Sequence, residues 1–328
     1  MKLAVLGAGA WGTAISISLA PRHAVALWAR NPAQAGAIAS TRVNETYLPG
    51  SRIPDAVAVT ADFAAALKGC DLILVVTTTA GLRAVLRQLA ALKVPAPLLW
   101  LCKGVDTESL QLPHEIVAAE LPATQLRGVL SGPSFAQEVA RGQPTALTLA
   151  SGDAEFAQNA ARELHHERLR IYSADDVVGV EAAGAVKNVM AIAAGISDGL
   201  GLGYNARAAL ITRGLAEITR LGLRLGGRIE TFLGLAGIGD LTLTCTGDLS
   251  RNRRVGLELA RGAALDTVLG KLGHVAEGVY TARAVNRLAR DLKVEMPITQ
   301  AVCRVLDEGV SASDAVQELL QRDPKAER

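Results

Sequence analysis

Several groups of residues in this sequence have the types and spacing to do chemistry. The first is Gly7-Ala8-Gly9-Ala10-Trp11-Gly12, a G-x-G-x-x-G run that follows a short apolar stretch. In a strand–turn–helix setting each glycine has its own reason. Gly7 permits the tight turn, Gly9 lets a pyrophosphate approach the backbone, and Gly12 lets the helix pack close to the sheet. The phosphates then meet free N–H groups at the helix start. The implied ligand is a dinucleotide; a glycine-rich turn without a ligand is the competing reading. The next apolar run ends in Trp28-Ala29-Arg30-Asn31. An acid at that point would hold the ribose hydroxyls of NAD. Arg30 instead suits stacking on adenine and pairing with a 2′-phosphate. NADP is therefore the expected cofactor, with NAD use also compatible. A plain surface arginine is the alternative.

Lysines form the second group. Lys103 follows an apolar run and precedes Gly104, so it sits where ligands bind if that run is a sheet strand. Ser131-Gly132-Pro133-Ser134-Phe135-Ala136 ends another such run and can offer backbone N–H groups and a hydroxyl. Lys187 is more informative. Between residues 177 and 200 the only charged side chains are Glu181, Lys187 and Asp198. Ala183, Gly184 and Ala191 lie one helical turn from Lys187, so other backbone can come close. A lysine desolvated there loses affinity for its proton and suits acid–base work. A lysine that snorkels to water fits the same pattern.

Anion chemistry is the third possibility. Gly237-Ile238-Gly239-Asp240 places a carboxylate among residues that read as flexible, either as a helix cap or facing the lysines. Ser250-Arg251-Asn252-Arg253-Arg254 opens a helix, with Ser250 as N-cap. Arginines in a first turn oppose the helix dipole. Their presence suggests an external anion held by guanidinium and N–H groups; a solvated basic surface is the alternative.

The elements that must position these residues fall into two halves. Apolar runs at 3–6, 25–28, 72–76 and 98–102 alternate with Ala-rich helical stretches at 62–67 and 81–92. Further strands are expected at 128–131, 146–150 and 169–172. This alternation argues for a mostly parallel, doubly wound α/β sheet, assigned to residues 1–175 as a Rossmann domain. The helix that opens on the glycine run covers 13–19. From 176 to 328 the texture is all-α, with helices at 177–200, 206–221, 251–261, 280–292 and 298–306. Pro324 and its charged neighbours read as a frayed tail.

The formal net charge of +2 and the lack of a basic stripe argue against nucleic acid as a partner. Half of the residues are hydrophobic, which excludes a disordered chain. Cys70, Cys102, Cys245 and Cys303 lack metal or redox spacing and read as core thiols in a reducing cytoplasm. Among His23, His114, His165, His166 and His274 only His165 and His166 are neighbours, so no metal site is expected. The glycines at 7, 9 and 12 interrupt the N-terminal apolar stretch and argue against a secretory leader. No apolar run reads as long enough to span a bilayer, which takes roughly 20 residues.

Together these segments resemble the bacterial NAD(P)-dependent glycerol-3-phosphate dehydrogenases. The resemblance rests on residues 7–14, 44–50, 101–104, 131–138, 186–188, 199–217, 232–246, 249–256 and 276–282. It implies reduction of dihydroxyacetone phosphate to sn-glycerol 3-phosphate for phospholipid synthesis. It also implies a homodimer; the cytoplasm is the expected location from the rejected leader and the lack of a spanning run. Lys187 then matches the proton donor and acceptor, and Lys103 a residue touching cofactor and substrate. Gly132, Ser134, Asp240, Ser250, Arg251 and Asn252 match the substrate or phosphate site. Trp11, Arg30, Ala136, Arg251 and Glu277 match cofactor contacts. Two departures stand out: Ala10 replaces the usual serine of the fingerprint, and Arg207 replaces a common lysine. Another two-domain dehydrogenase, such as a 3-hydroxyacid or ketopantoate-type reductase, would share the fold and a catalytic lysine but needs a carboxylate site. A non-catalytic dinucleotide sensor would need a partner-binding module.

Overall fold

A computed structural model of the chain describes residues 1–272 and 276–323. His274 and the Pro324 tail lie outside the described residues. The chain divides into two compact units. Met1–Asp106 and Gln111–Glu181 form the first; Thr107–Leu110 and the chain from Ala182 onward form the second.

In the first unit the strands are β1 (Lys2–Leu6), β2 (Ala24–Trp28), β3 (Val43–Asn44), β4 (Leu48–Arg52), β5 (Ala58–Thr60), β6 (Leu72–Val75), β7 (Leu98–Trp100), β8 (Arg127–Ser131), β9 (Thr145–Ala150) and β10 (Leu169–Ala174). β3 and β4 make a small hairpin, and the others form one sheet in the order β10-β9-β8-β7-β6-β1-β2-β5. All neighbours pair parallel except β8 and β9. Leu3 to Leu6 are fully buried, as are Ile73 to Val75, because helices cover both faces of a parallel sheet. The chain runs outward from β1 through β2 to β5, then returns to β6 on the other side. The strand order therefore reverses between β1 and β6, where doubly wound sheets bind ligands.

The second unit is helical among its described residues. Helix Val177–Gly199, whose residues up to Glu181 belong to the first unit, is followed by Gly203–Arg224, Asp240–Thr246, Arg251–Ala260, Glu277–Asp291 and Pro297–Asp307, among others. The first of these corrects the sequence reading. By length and composition it is apolar enough to cross a membrane. However, 89% of its apolar window is buried inside the protein, as in a core helix. Residues 235–239 also correct an expectation. Rather than flexible, they form a π-helical turn, Leu235–Gly239, in which a Cβ on Gly237 would stand 2.1 Å from the Phe232 carbonyl oxygen.

Glu217 shows how the helical unit is held. It is 1% exposed and caps the Pro297–Asp307 helix. Its carboxylate accepts hydrogen bonds from the Ile298 N–H at 2.6 Å, the Thr299 N–H at 3.2 Å and the Thr299 hydroxyl at 3.1 Å. Burial outweighs these bonds and pushes its pKa from 4.5 to about 7. The folded state thus holds this proton more tightly than the unfolded chain does. The group's contribution is complete below about pH 4.5 and is lost as the pH rises through about 7, a swing of about 3 kcal/mol. Glu217→Gln should therefore cost more stability at about pH 5 than at about pH 8 in denaturant titrations. Equal costs at both pH values would contradict the assignment.

Candidate active site

The glycine run joins β1 to helix Ala10–Leu19, which starts three residues earlier than its apolar pattern suggested. Gly7 has φ 128°, and a Cβ there would stand 2.4 Å from the Val76 carbonyl oxygen. A Cβ on Gly12 would stand 1.8 Å from the Gly7 carbonyl oxygen. Around Gly9 nothing lies within 4 Å of such an atom. Two glycines are thus required by the protein itself, and the third leaves an open approach. Gly9 caps the helix without a side-chain hydrogen bond, and the first turn holds no acid. Helices Pro32–Thr41, Phe63–Leu67 and Ala154–Leu164 in the same unit do have side-chain caps. An uncapped helix start beside an open glycine fits a dinucleotide pyrophosphate.

The loop is pinned from behind. Asn44, 1% exposed, donates through Nδ2 to the Ala8 carbonyl at 2.9 Å and to the Thr13 hydroxyl at 2.8 Å. Gln34 donates to the same carbonyl at 2.8 Å. No local signal in the sequence marks Asn44 for this role. Ala10, Trp11 and Ala136 share one apolar cluster with Ala14, Leu48 and Val139, so three expected cofactor residues do come together. Arg30 is exposed at the end of β2 and makes no hydrogen bond or ion pair among the described residues. Asn31, next to it, caps helix Pro32–Thr41.

Lys103, Gly132 and Ser134 also meet. Lys103 Nζ donates to the Gly132 carbonyl at 3.0 Å, and the Ser134 hydroxyl donates to the same oxygen at 2.9 Å. Gly132 has φ 137°, and its missing side chain would press on Leu147. Elsewhere in this unit the Glu181 carboxylate accepts from Trp100 Nε1 at 2.7 Å, from the His114 N–H at 2.8 Å and from His114 Nδ1 at 2.5 Å. Burial opposes charge on His114, but the adjoining carboxylate outweighs it and holds the imidazole above the usual histidine range.

In the second unit Lys187 is 7% exposed and Asp240 1%. Lys187 Nζ forms a short ion pair with Asp240 Oδ1 and donates to the Thr244 hydroxyl at 3.0 Å. That hydroxyl donates in turn to the Asp240 carbonyl at 2.6 Å. Lys187 therefore does not snorkel. Asp240 is the first residue of helix Asp240–Thr246, so Thr244 follows it by one turn and faces the same ammonium. A buried ammonium needs a counter-charge, and Asp240 supplies it. Burial pushes the thiol of nearby Cys245 up to about 12, away from the range of a reactive thiolate. The described cysteines form no disulfide; Cys102, Cys245 and Cys303 are buried.

Ser250 caps helix Arg251–Ala260 by accepting from the Arg253 N–H at 3.3 Å. The basic run after it divides. Arg253 is buried on Asp198 and Asp248, and Arg254 Nε donates to the Asp248 carbonyl at 2.9 Å. The inference of an external anion from all three arginines is thereby corrected, since these two have partners inside the protein. Arg251 is exposed, and its side chain has no ion pair or hydrogen bond among the described residues. Asn252 Nδ2 donates to Asn188 Oδ1 at 3.0 Å, and its Oδ1 accepts from the Gly278 N–H at 3.0 Å. Glu277, just before Gly278, opens the Glu277–Asp291 helix. Asn188, next to Lys187, and Thr244 were not singled out from sequence.

A dinucleotide fingerprint at the switch point of a Rossmann sheet, followed by a helical unit with a buried lysine–carboxylate pair, defines a two-part nicotinamide-dependent oxidoreductase. The family description for the NAD-dependent glycerol-3-phosphate dehydrogenase N-terminus matches residues 2–157, and that for its C-terminus residues 176–317. The chain belongs to the NAD-dependent glycerol-3-phosphate dehydrogenase family. It is 58% identical to glycerol-3-phosphate dehydrogenase (NAD(P)+) of Dechloromonas aromatica, covering 100% of this chain and 99% of the relative. Identity to the protein of the same name from Thiobacillus denitrificans is 59%, covering 100% of both chains. The crystal structure of glycerol-3-phosphate dehydrogenase from Coxiella burnetii superposes with a TM-score of 0.94 at 44% identity, covering 98% of this chain and 99% of that one.

Proposed function

We propose that this chain interconverts dihydroxyacetone phosphate and sn-glycerol 3-phosphate, with Lys187 as proton donor and acceptor. The observation that carries the reading is the buried Lys187–Asp240–Thr244 group in a chain of this family. The first domain, residues 1–175, binds the dinucleotide through Gly7, Gly9, Ala10, Trp11, Gly12, Arg30, Lys103 and Ala136. The helical domain, residues 176–328, adds Arg251 and Glu277 to the cofactor and holds the substrate. The nicotinamide, when bound, supplies the hydride. Lys187 Nζ gives its proton to the oxygen that becomes the C2 hydroxyl. Asp240 balances the ammonium beforehand, and Lys103 orients the carbonyl with Gly132 and Ser134. Preorganised donors of this kind are usually the largest catalytic contribution. Ser250, Arg251 and Asn252 hold the phosphate, whose binding energy positions the carbonyl. The family resemblance further supports a cytoplasmic homodimer that supplies glycerol phosphate for phospholipid synthesis. Oxidation of sn-glycerol 3-phosphate against its mirror image tests the reading. Only the sn-3 form should yield dihydroxyacetone phosphate; equal use of both would contradict it.

NADP is the preferred cofactor in this reading, because Arg30 stands where an acid would select NAD. Arg30→Asp should lower kcat/KM for NADPH and shift preference toward NADH. An unchanged ratio of the two constants would remove Arg30 from 2′-phosphate recognition.

A further inference from the structure

Helix Val177–Gly199 carries Lys187, and helix Arg251–Ala260 begins at the residues assigned to the phosphate. The two helices touch through glycines. A Cβ on Gly195 would stand 2.0 Å from the Arg253 carbonyl oxygen, and one on Gly256 2.0 Å from the Ile192 carbonyl oxygen. Glycine lets backbones approach closely but offers no side chain to fix how far one helix has slid along the other. Directional polar contacts must set that register.

Asp198, on the last turn of the first helix, supplies them. Its Oδ2 accepts from Arg253 Nε at 2.8 Å and from Arg207 Nη1 at 3.1 Å, and it forms an ion pair with Arg253 Nη2 at 2.7 Å. The Arg253 N–H also donates to the Ser250 cap, so the same residue binds both Asp198 and the start of its own helix. The side chains of Asp198, Arg253 and Arg207 are 13%, 11% and 18% exposed, whereas that of Asp248, the other partner of Arg253, is 94% exposed. An exposed carboxylate is screened and contributes little. Two largely buried guanidinium groups thus share one effective counter-charge. Arg207 is also the residue that departs from the common lysine. Its planar group lies 5.0 Å from the Tyr204 ring while it bonds Asp198, which a lysine does not reproduce in that fork geometry.

We propose that Asp198 is a positioning residue, which through Arg253 and Arg207 places the phosphate-binding start of helix Arg251–Ala260 in register with Lys187. The proposal rests on the reading that Ser250, Arg251 and Asn252 hold the substrate phosphate. Asp198→Asn keeps the shape and removes the charge. With NADPH saturating, its KM for dihydroxyacetone phosphate should rise by about tenfold or more, and kcat should fall as well, because the phosphate no longer positions the carbonyl against Lys187. Its kcat/KM for dihydroxyacetone, which lacks the phosphate, should not move. Arg207→Gln leaves the Arg253–Asp198 pair intact and should shift KM in the same direction by less. This variant serves alone if Asp198→Asn does not fold. Unchanged KM values, or equal proportional losses with both substrates, would overturn the proposal. A wild-type protein that used dihydroxyacetone as well as its phosphate would instead overturn the phosphate reading, and this proposal with it.

Discussion

Lys187→Met is expected to cut turnover of dihydroxyacetone phosphate by about a hundredfold or more, the usual worth of a general acid. Methionine nearly matches the lysine stem but offers no proton. NADPH affinity should stay near wild type, because the fingerprint lies in the other unit. The substitution also leaves Asp240, 1% exposed, without its counter-charge. Breaking a buried pair on one side costs about 3–5 kcal/mol, so loss of activity alone would not separate chemistry from folding. The double change Lys187→Met with Asp240→Asn removes both charges. It should recover much of the lost stability and remain inactive. Recovery of turnover together with stability would remove Lys187 from the chemistry.

The second large effect concerns the phosphate. Wild-type kcat/KM should favour dihydroxyacetone phosphate over dihydroxyacetone by roughly 10²–10⁴, from two charged hydrogen bonds at about 1.5–3 kcal/mol each. Arg251→Ala should lower the constant for the phosphate ester by about ten- to a hundredfold and leave dihydroxyacetone nearly untouched. Arg251 is the cleaner probe because its side chain is exposed and makes no hydrogen bond or ion pair among the described residues. Asn252→Ala would also break the bonds to Asn188 and Gly278. Proportional losses with both substrates, measured with NADPH saturating, would remove Arg251 from the phosphate and leave it with its cofactor role or a role in the fold.

Legibility in the sequence followed the range of the physical cause. Gly12 could be assigned from spacing because its close contact, with the Gly7 carbonyl, arises within one strand–turn–helix unit; Gly7 shares that turn, although the group its missing Cβ would meet is Val76, just past the end of β6. Lys187 was visible as a lone cation among small residues, but its fate was not. Whether it snorkels depends on Asp240, 53 residues away, and the glycines before Asp240 hid a π-helical turn that aims the carboxylate inward. Arg253 misled for the same reason. Its partner Asp198 lies 55 residues earlier, and only the helix contact at Gly195 and Gly256 brings them together. Asn44 pins the glycine loop across 36 residues without any local mark. The apolar composition of Val177–Gly199 alone does not distinguish a buried core helix from a membrane span; its 89% buried window does.

The most direct measurement is the rate at which the purified chain oxidises NADPH, and separately NADH, when dihydroxyacetone phosphate is added. Absorbance of the reduced nicotinamide should fall only when the substrate is present, with sn-glycerol 3-phosphate as the product and NADPH the better donor. A chain that binds NADPH yet shows no substrate-dependent oxidation of either nucleotide would contradict the account.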